Sequence, residues 1–323
     1  MPAAWFHLLR PWSYAATLVP FLAAAALASG MAADWPRWLG GLAVGLMFQA
    51  TVNLLNTWGD ERSGVDDVPG AIRTTPQVHD GMVSMRAVLA AAVACAALAS
   101  VGGMLLCFHV SDGVVRFNVP LLVAGAVGFL GATNYSTGIK FKYRGLGVPF
   151  VSFLMGPLET FAAVALMDPE SAARIVSDAG RFVAFVGWTL PVAALVGVIM
   201  HGNDMRDIPT DRAAGITTLA SRLGPRGALA YYCVCHVVPY AVCVSLATLA
   251  AWERGPLGAL FFIPFLCLPL TARTLLVACR AYRGDPGCPK WRRLERASGG
   301  IHLVFGVLYA ASTSLWLLQG EVP

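Results

Sequence analysis

Long apolar runs alternate with short polar loops along almost the whole chain. A helix that crosses a membrane needs about 20 mostly apolar residues. Nine segments meet that requirement, near 14–33, 37–57, 85–108, 117–136, 148–167, 181–201, 227–251, 256–280 and 299–319. The pattern predicts an all-α, polytopic membrane protein with about nine transmembrane helices, forming one domain over 1–323. Pro20, Gly102, Gly103, Pro157 and Pro191 fall inside these segments. They are compatible with spanning helices because neighbouring helices satisfy the freed backbone groups. Gly41, Gly45 and Ala50 suit close helix packing.

The composition agrees: 57% of the 323 residues are hydrophobic and only 13% are charged, where a soluble domain carries about 25%. The net charge of +5 raises nucleic-acid binding as an option, and its distribution removes it. Arg10, Arg62, Arg73, Arg86, Lys140, Lys142, Arg144, Arg206, Arg212, Arg222, Arg226, Arg280, Arg283, Lys290, Arg292, Arg293 and Arg296 lie at the N-terminus or after even-numbered segments. Only Arg37, Arg116, Arg174, Arg181 and Arg254 lie on the other side. This asymmetry places the N-terminus and the even loops in the cytoplasm. The eight Cys are scattered, mostly in apolar runs, and read as small apolar residues. No cleavable signal peptide is expected, since the first apolar run is long and lacks a cleavage site.

Two polar stretches break the pattern at segment ends, where carboxylates are expensive. The first is Asn53-Leu-Leu-Asn56-Thr-Trp-Gly-Asp60, followed by Asp66 and Asp67; the second is Asn203-Asp204-Met-Arg206-Asp207, followed by Asp211. Asn56 and Asp60 share a helix face, as do Asn203, Asp207 and Asp211. Asp66 would point away on a continuous helix, and Gly64 offers a break that turns Asp66 or Asp67 back. The Asn-x3-Asp spacing follows both segment 2 and segment 6, which suggests two related bundles facing across one cavity. Mg²⁺ is usually held by one or two carboxylates together with substrate phosphate and waters. Two such clusters, both on the cytoplasmic side, fit ions bridging one diphosphate. Arg73, Lys140, Lys142 and Arg206 are candidate contacts to its oxygens, with Tyr135 and Tyr143 beside the two lysines. Each cation has a plainer reading as a topology anchor, and each acidic stretch as a solvated loop.

Other polar residues point less sharply. Glu159 lies within segment 5, where an intramembrane acid is a functional candidate by default; a structural hydrogen bond is the alternative. His79 and His201 flank the motifs and are read as hydrogen-bonding residues. Trp58, Phe129, Tyr135, Phe141, Tyr143, Phe150 and Phe153 are candidates to line an apolar chain cavity and shield a carbocation, or simply to pack helices. Loop 281–296 is rich in turn residues and reads as a connector. No zinc-protease, Walker, hydrolase-elbow or dinucleotide motif occurs.

At these residues the chain resembles the UbiA superfamily of intramembrane prenyltransferases, and within it the MenA branch that prenylates 1,4-dihydroxy-2-naphthoate in menaquinone biosynthesis. Four stretches carry the resemblance: Asn53 to Asp66, Asn203 to Leu219, Gly138-Ile-Lys140-Phe-Lys142-Tyr143-Arg-Gly-Leu146-Gly147, and His302-Leu-Val-Phe-Gly306. Some positions depart from the pattern. Thr57 stands where Asp is common, as in the animal vitamin K2-forming relatives; Asp204 replaces a second Asn; Val148 stands where an acid is usual; and Val78 and His79 stand where a further Arg is expected.

The resemblance implies nine helices around a central cavity open to lipid, with Mg²⁺ and an isoprenyl diphosphate near the cytoplasmic edge. It implies that Asp60, Asp66, Asp207 and Asp211 are catalytic and bind the metal, with Asn56 and Asn203 supporting. Asn53, Asn56, Arg73, Lys140, Lys142, Tyr143, Asn203 and Arg206 would contact substrate, and an aromatic acceptor would receive the prenyl group. Two rivals use the same carboxylates: an intramembrane terpene cyclase with no acceptor, and a cation-dependent transporter.

Overall fold

The computed structural model describes residues 2–28, 33–63, 76–284 and 294–319. The helices are α1 (Pro2–Leu9), α2 (Ala15–Leu27), α3 (Trp35–Ser63), α4 (Pro76–His79), α5 (Met85–Leu106), α6 (Val119–Thr133), α7 (Gly147–Phe153), α8 (Glu159–Met167), α9 (Pro169–Ser177), α10 (Ala179–Ala213), α11 (Leu219–Arg254), α12 (Leu268–Gly284) and α13 (Leu294–Leu318). A π-helical turn at Leu154–Leu158, containing Pro157, joins α7 to α8. A 3-10 stretch at Gly255–Cys267 joins α11 to α12.

The helical membrane fold is as expected in its main lines, with one correction. Among the described residues, six stretches are long and apolar enough to cross a membrane, so the count of nine is not confirmed. α2 and α6 are apolar but short, and the 65-residue stretch Leu219–Arg283 contains a kink at Gly224 and a turn at Gly255, after which Gly258 packs back against Ala247 and Ala251 of α11. The correction is that the fold is not purely helical. Between α5 and α6, β1 (Phe108–Ser111) pairs antiparallel with β2 (Val114–Phe117). The turn is Asp112-Gly113, with φ of 52° and 73°. A two-residue hairpin of this hand needs positive φ at both positions, which Asp-Gly tolerates well.

Burial sorts the helices into two lobes. One core is built from α10, α11, α12 and α13, around Tyr232, Tyr240, Phe305 and Tyr309. The other gathers α2, α3, α6 and α8, around Phe21, Trp38 and Leu166. Polar groups staple the second lobe: Trp38 Nε1 donates to the Phe21 carbonyl at 3.0 Å. Asn118 caps α6 and donates from Nδ2 to the Ala165 carbonyl at 2.7 Å.

α2 packs against both α8 and α13 and so ties the lobes together. Small residues set that spacing. A Cβ on Gly306 of α13 would lie 2.4 Å from Val19 Cγ1 of α2, and one on Gly41 of α3 would lie 2.2 Å from Leu166 Cδ1 of α8. His302, one turn before Gly306, is fully buried in the same seam. The Gly306→Ala variant should therefore lose about 1–3 kcal/mol through overpacking. Gly299→Ala, whose added methyl meets open space, should melt like the parent in detergent.

Candidate active site

α3 and α10 both run on past their apolar lengths and carry the polar motifs as continuous helix. Asn56 and Asp60 therefore stack on one face of α3, and Asn203, Asp207 and Asp211 on one face of α10. Both columns line the same cavity of about 460 Å³. Asp204 and Arg206 stand at its polar end with them, while the rest of the wall is largely apolar and small.

The segment 134–146, between α6 and α7, closes that polar end. It must turn sharply. Gly138 has φ 53°, and a Cβ there would come 2.4 Å from Asn134 Oδ1, the atom that accepts a hydrogen bond from Ile139 N at 3.1 Å. The far end of the segment is pinned to the α10–α11 turn: Arg144 bridges to Thr217, and Arg222 Nη2 donates to the Arg144 carbonyl at 2.8 Å. The result is a strap that presents Lys142 and Tyr143 between α3 and α10.

Lys142 Nζ donates to both Asp60 oxygens, at 2.7 and 2.9 Å, and to Asn56 Oδ1 at 3.2 Å. Tyr143 donates its hydroxyl to Asp60 Oδ1 at 2.6 Å. Burial alone would push the Lys142 ammonium below its ordinary value, but Asp60 outweighs it and the group is held above that value. The sign matters: a raised Lys142 keeps its charge, and the pair weakens only as the pH climbs through that elevated value. Tyr135, buried beneath the strap and near Asp204, is pushed well up and stays a neutral phenol. On α10, Arg206 pairs with Asp207 through Nε at 2.7 Å and Nη2 at 2.5 Å. Thr218 donates to Asp211 at 3.4 Å.

The remaining expected residues divide. Asn53 lines the cavity, but its amide is committed to the Leu9 carbonyl and Ser13 Oγ, at 2.8 and 2.9 Å. Asn203 Oδ1 is buried without a hydrogen-bond partner. Lys140 stands outside the cavity, exposed, with its Nζ 5.9 Å from the centroid of the Tyr143 ring. Asp66, Asp67 and Arg73 lie outside the described residues. His201 is fully buried and bonds the Ala228 carbonyl at 2.9 Å, as a hydrogen-bonding residue should. His79 Nδ1 lies 3.6 Å from Glu61 Oε1.

Of the seven candidate aromatics, only Tyr135 and Tyr143 line the cavity; Phe141 and Phe150 pack on each other at 4.3 Å. Phe21 and Phe48 line it instead. Composition cannot reveal which face of an all-apolar helix looks inward, so they were not legible.

Arg10 was also missed. It lines the polar end, with φ 50° and Nη2 3.3 Å from Thr57 Oγ1. The signal was the Arg10-Pro11 dipeptide, since Pro forbids a continuous helix there and forces a turn beside the α3 motif. Glu295 of α13 completes the rim.

The donor set suits a hard cation. It consists of oxygens, and Asn56 with Asp60 already holds one cation, the Lys142 ammonium. The orphaned Asn203 oxygen is a further donor. Among the described residues no three His, Cys, Asp or Glu side chains converge into a self-sufficient metal cage. Mg²⁺ does not require one, because it keeps waters and shares substrate phosphates.

This geometry defines a helical membrane protein in which acidic and basic side chains gather at the polar end of an apolar chamber. The chain belongs to the UbiA prenyltransferase family, whose model matches residues 17–294, and its chemistry is that of a prenyltransferase. It is 31% identical over 317 residues to UbiA prenyltransferase domain-containing protein 1 of Mus musculus and of Homo sapiens, covering 97% of this chain and 86% of each relative. The Drosophila melanogaster homolog is 27% identical, covering 94% of this chain and 77% of the relative. The fold is similar to that of a UbiA homolog from Archaeoglobus fulgidus bound to GPP and Mg²⁺, with a TM-score of 0.63, 15% identity, and coverage of 97% and 99%. The apo UbiA homolog from Aeropyrum pernix K1 gives a TM-score of 0.60 at 18% identity, with the same coverage. These relatives carry the family but not the expected MenA branch.

Breaking a buried ion pair from one side costs about 3–5 kcal/mol. Lys142→Met should therefore lower the melting temperature in detergent clearly. Adding Asp60→Asn to it should recover part of the loss. Equal melting of parent and Lys142→Met would show that the pair contributes nothing to stability.

Proposed function

We propose that the protein transfers an isoprenyl group from an isoprenyl diphosphate to an electron-rich aromatic acceptor, of the 1,4-dihydroxy-2-naphthoate type used in menaquinone biosynthesis, with Mg²⁺ as cofactor. The observation that carries this reading is the meeting of two acidic columns and a cationic strap at one end of an otherwise apolar cavity. The polar end matches a diphosphate and the long apolar wall matches its hydrocarbon tail.

Asn56, Asp60, Asn203, Asp207 and Asp211 are the residues that would hold Mg²⁺, joined by Asp66 of the first motif. Mg²⁺ bound there would neutralise phosphate charge and act as a Lewis acid toward the leaving group. The protein's own groups do the rest. Lys142 and Tyr143, released from Asp60, donate to the diphosphate oxygens, with Arg206, Arg10 and Arg73 as further cations. The apolar wall excludes water from the allylic cation, and the Tyr135 and Tyr143 rings lie close enough to the polar end to face it. A ring carbon of the acceptor captures the cation, and the ring then loses a proton or carbon dioxide. The positive-inside bias of the loops supports a cytoplasmic site and N-terminus.

The test is a matrix of isoprenyl diphosphates and aromatic acceptors with purified protein and Mg²⁺. Prenylated product should require both partners. Cyclic hydrocarbon from the diphosphate alone would instead identify a terpene cyclase. Asp207→Ala should fall by about 100-fold or more, the scale for losing one preorganised electrostatic contact, while its melting temperature stays near that of the parent. Full Mg²⁺-dependent turnover in Asp207→Ala would remove the metal assignment.

A further inference from the structure

Among the described residues, Glu159 is the acid set into the apolar wall of the cavity, away from both motifs and from Glu295 at the rim. A Cβ built on Gly45 would lie 3.5 Å from Glu159 Oε1 and 3.0 Å from Thr17 Cγ2. Glu159, Thr17 and Gly45 therefore share one level of the chamber. α3 is continuous from Trp35 to Ser63, so Gly45, fifteen residues before Asp60, lies about 22 Å from it along the axis at 1.5 Å per residue. A second path agrees. Gly147 starts α7 beside Lys142, since a Cβ built on it would lie 3.2 Å from the Lys142 Cα, and Glu159 lies twelve residues on, about 18 Å along the helical axis. A third path runs down α2: Ser13 bonds Gln49 and Asn53 of α3, and Thr17 sits one turn deeper.

This depth rules out Glu159 as the base for an acceptor reacting beside the diphosphate. It fits the far end of the tail instead. A five-carbon isoprene unit adds four main-chain bonds and extends by about 5 Å, given carbon–carbon bonds of about 1.5 Å. Four units thus reach from the polar end to the level of Glu159. The cavity continues beyond, to Gly41 and Leu166. A longer tail must therefore slide past a carboxyl, where hydrocarbon displaces whatever solvates it, a costly exchange in an apolar wall.

We infer that Glu159, with Gly45 and Thr17 at the same level, sets the prenyl chain length, favouring donors of up to about four isoprene units over longer ones. The inference rests on the prenyl-donor reading above and adds the length of the donor.

The experiment measures binding, not turnover. Thiolodiphosphate analogues of two, four, six and eight isoprene units are titrated with Mg²⁺ against the detergent-solubilised full chain, and affinity is read from thermal shift. Parent protein should bind the four-unit analogue at least ten-fold more tightly than the eight-unit one. Glu159→Leu, which makes the wall apolar, should improve six- and eight-unit binding about ten-fold and leave two-unit binding within about two-fold. Gly125→Leu provides the opposite arm. Gly125 lines the cavity on α6, and a Cβ there meets open space, so the variant should fold. It lies eight residues before the end of α6 at Thr133, about 12 Å down the chamber. It should weaken four-unit binding about ten-fold while sparing the two-unit analogue. Length profiles in both variants that superimpose on the parent overturn the ruler alone. A parent that binds no analogue of any length overturns the prenyl-donor reading, and the ruler with it.

Discussion

A carboxylate at the end of a membrane helix cannot stand alone, and the architecture around Asp60 follows from that constraint. Its partner comes from the strap between α6 and α7. The ammonium must arrive with correct geometry, because burying two charges is repaid only when their hydrogen bonds are satisfied. That accounts for the turn at Gly138, the tie from Arg144 to Thr217 and the second donor from Tyr143. The same bonds hold the Lys142 ammonium and the Tyr143 hydroxyl at the polar end of the cavity.

α3 and α10 serve two environments in succession. Their apolar lengths pack into the two lobes, and their polar extensions converge at one end of the space between. Because the motifs continue the helices rather than sit on flexible loops, the spacing of the carboxylates is fixed by helical pitch. The wall of the chamber is kept open by small residues on α3, α5 and α6, while Gly306 lets α13 approach α2 outside it.

Much of this was legible in the sequence because two strong signals were present. Hydropathy located the helices, since backbone in lipid must be internally bonded. The i, i+4 spacing of Asn56 and Asp60, and of Asn203, Asp207 and Asp211, required only helix to become a shared face. What was missed depended on information a linear pattern does not hold. Phe48 and Phe129 both lie in apolar runs and touch at 5.9 Å, yet only Phe48 lines the cavity. Lys140 and Lys142 are two residues apart, and the left-handed φ of 59° at Lys140 helps send them to different places. Asp112-Gly113 did carry a local hairpin signal, overshadowed by the long apolar runs on either side. The expected segments outnumber the six long apolar stretches because α2 and α6 are short and because two of them, 227–251 and 256–280, fall within the single stretch Leu219–Arg283, which turns at Gly255.

The order of these elements along the chain has a bearing on biogenesis. Lys142 follows Asp60 by 82 residues, whereas the α10 column and its Thr217 tether are synthesised later still. In a chain made from its N-terminus, the counter-ion for the first acidic helix is therefore translated before the second acidic helix. The counter-ion of Asp60 thus precedes, in order of synthesis, every residue of the second acidic column and the Thr217 tether that fixes the strap.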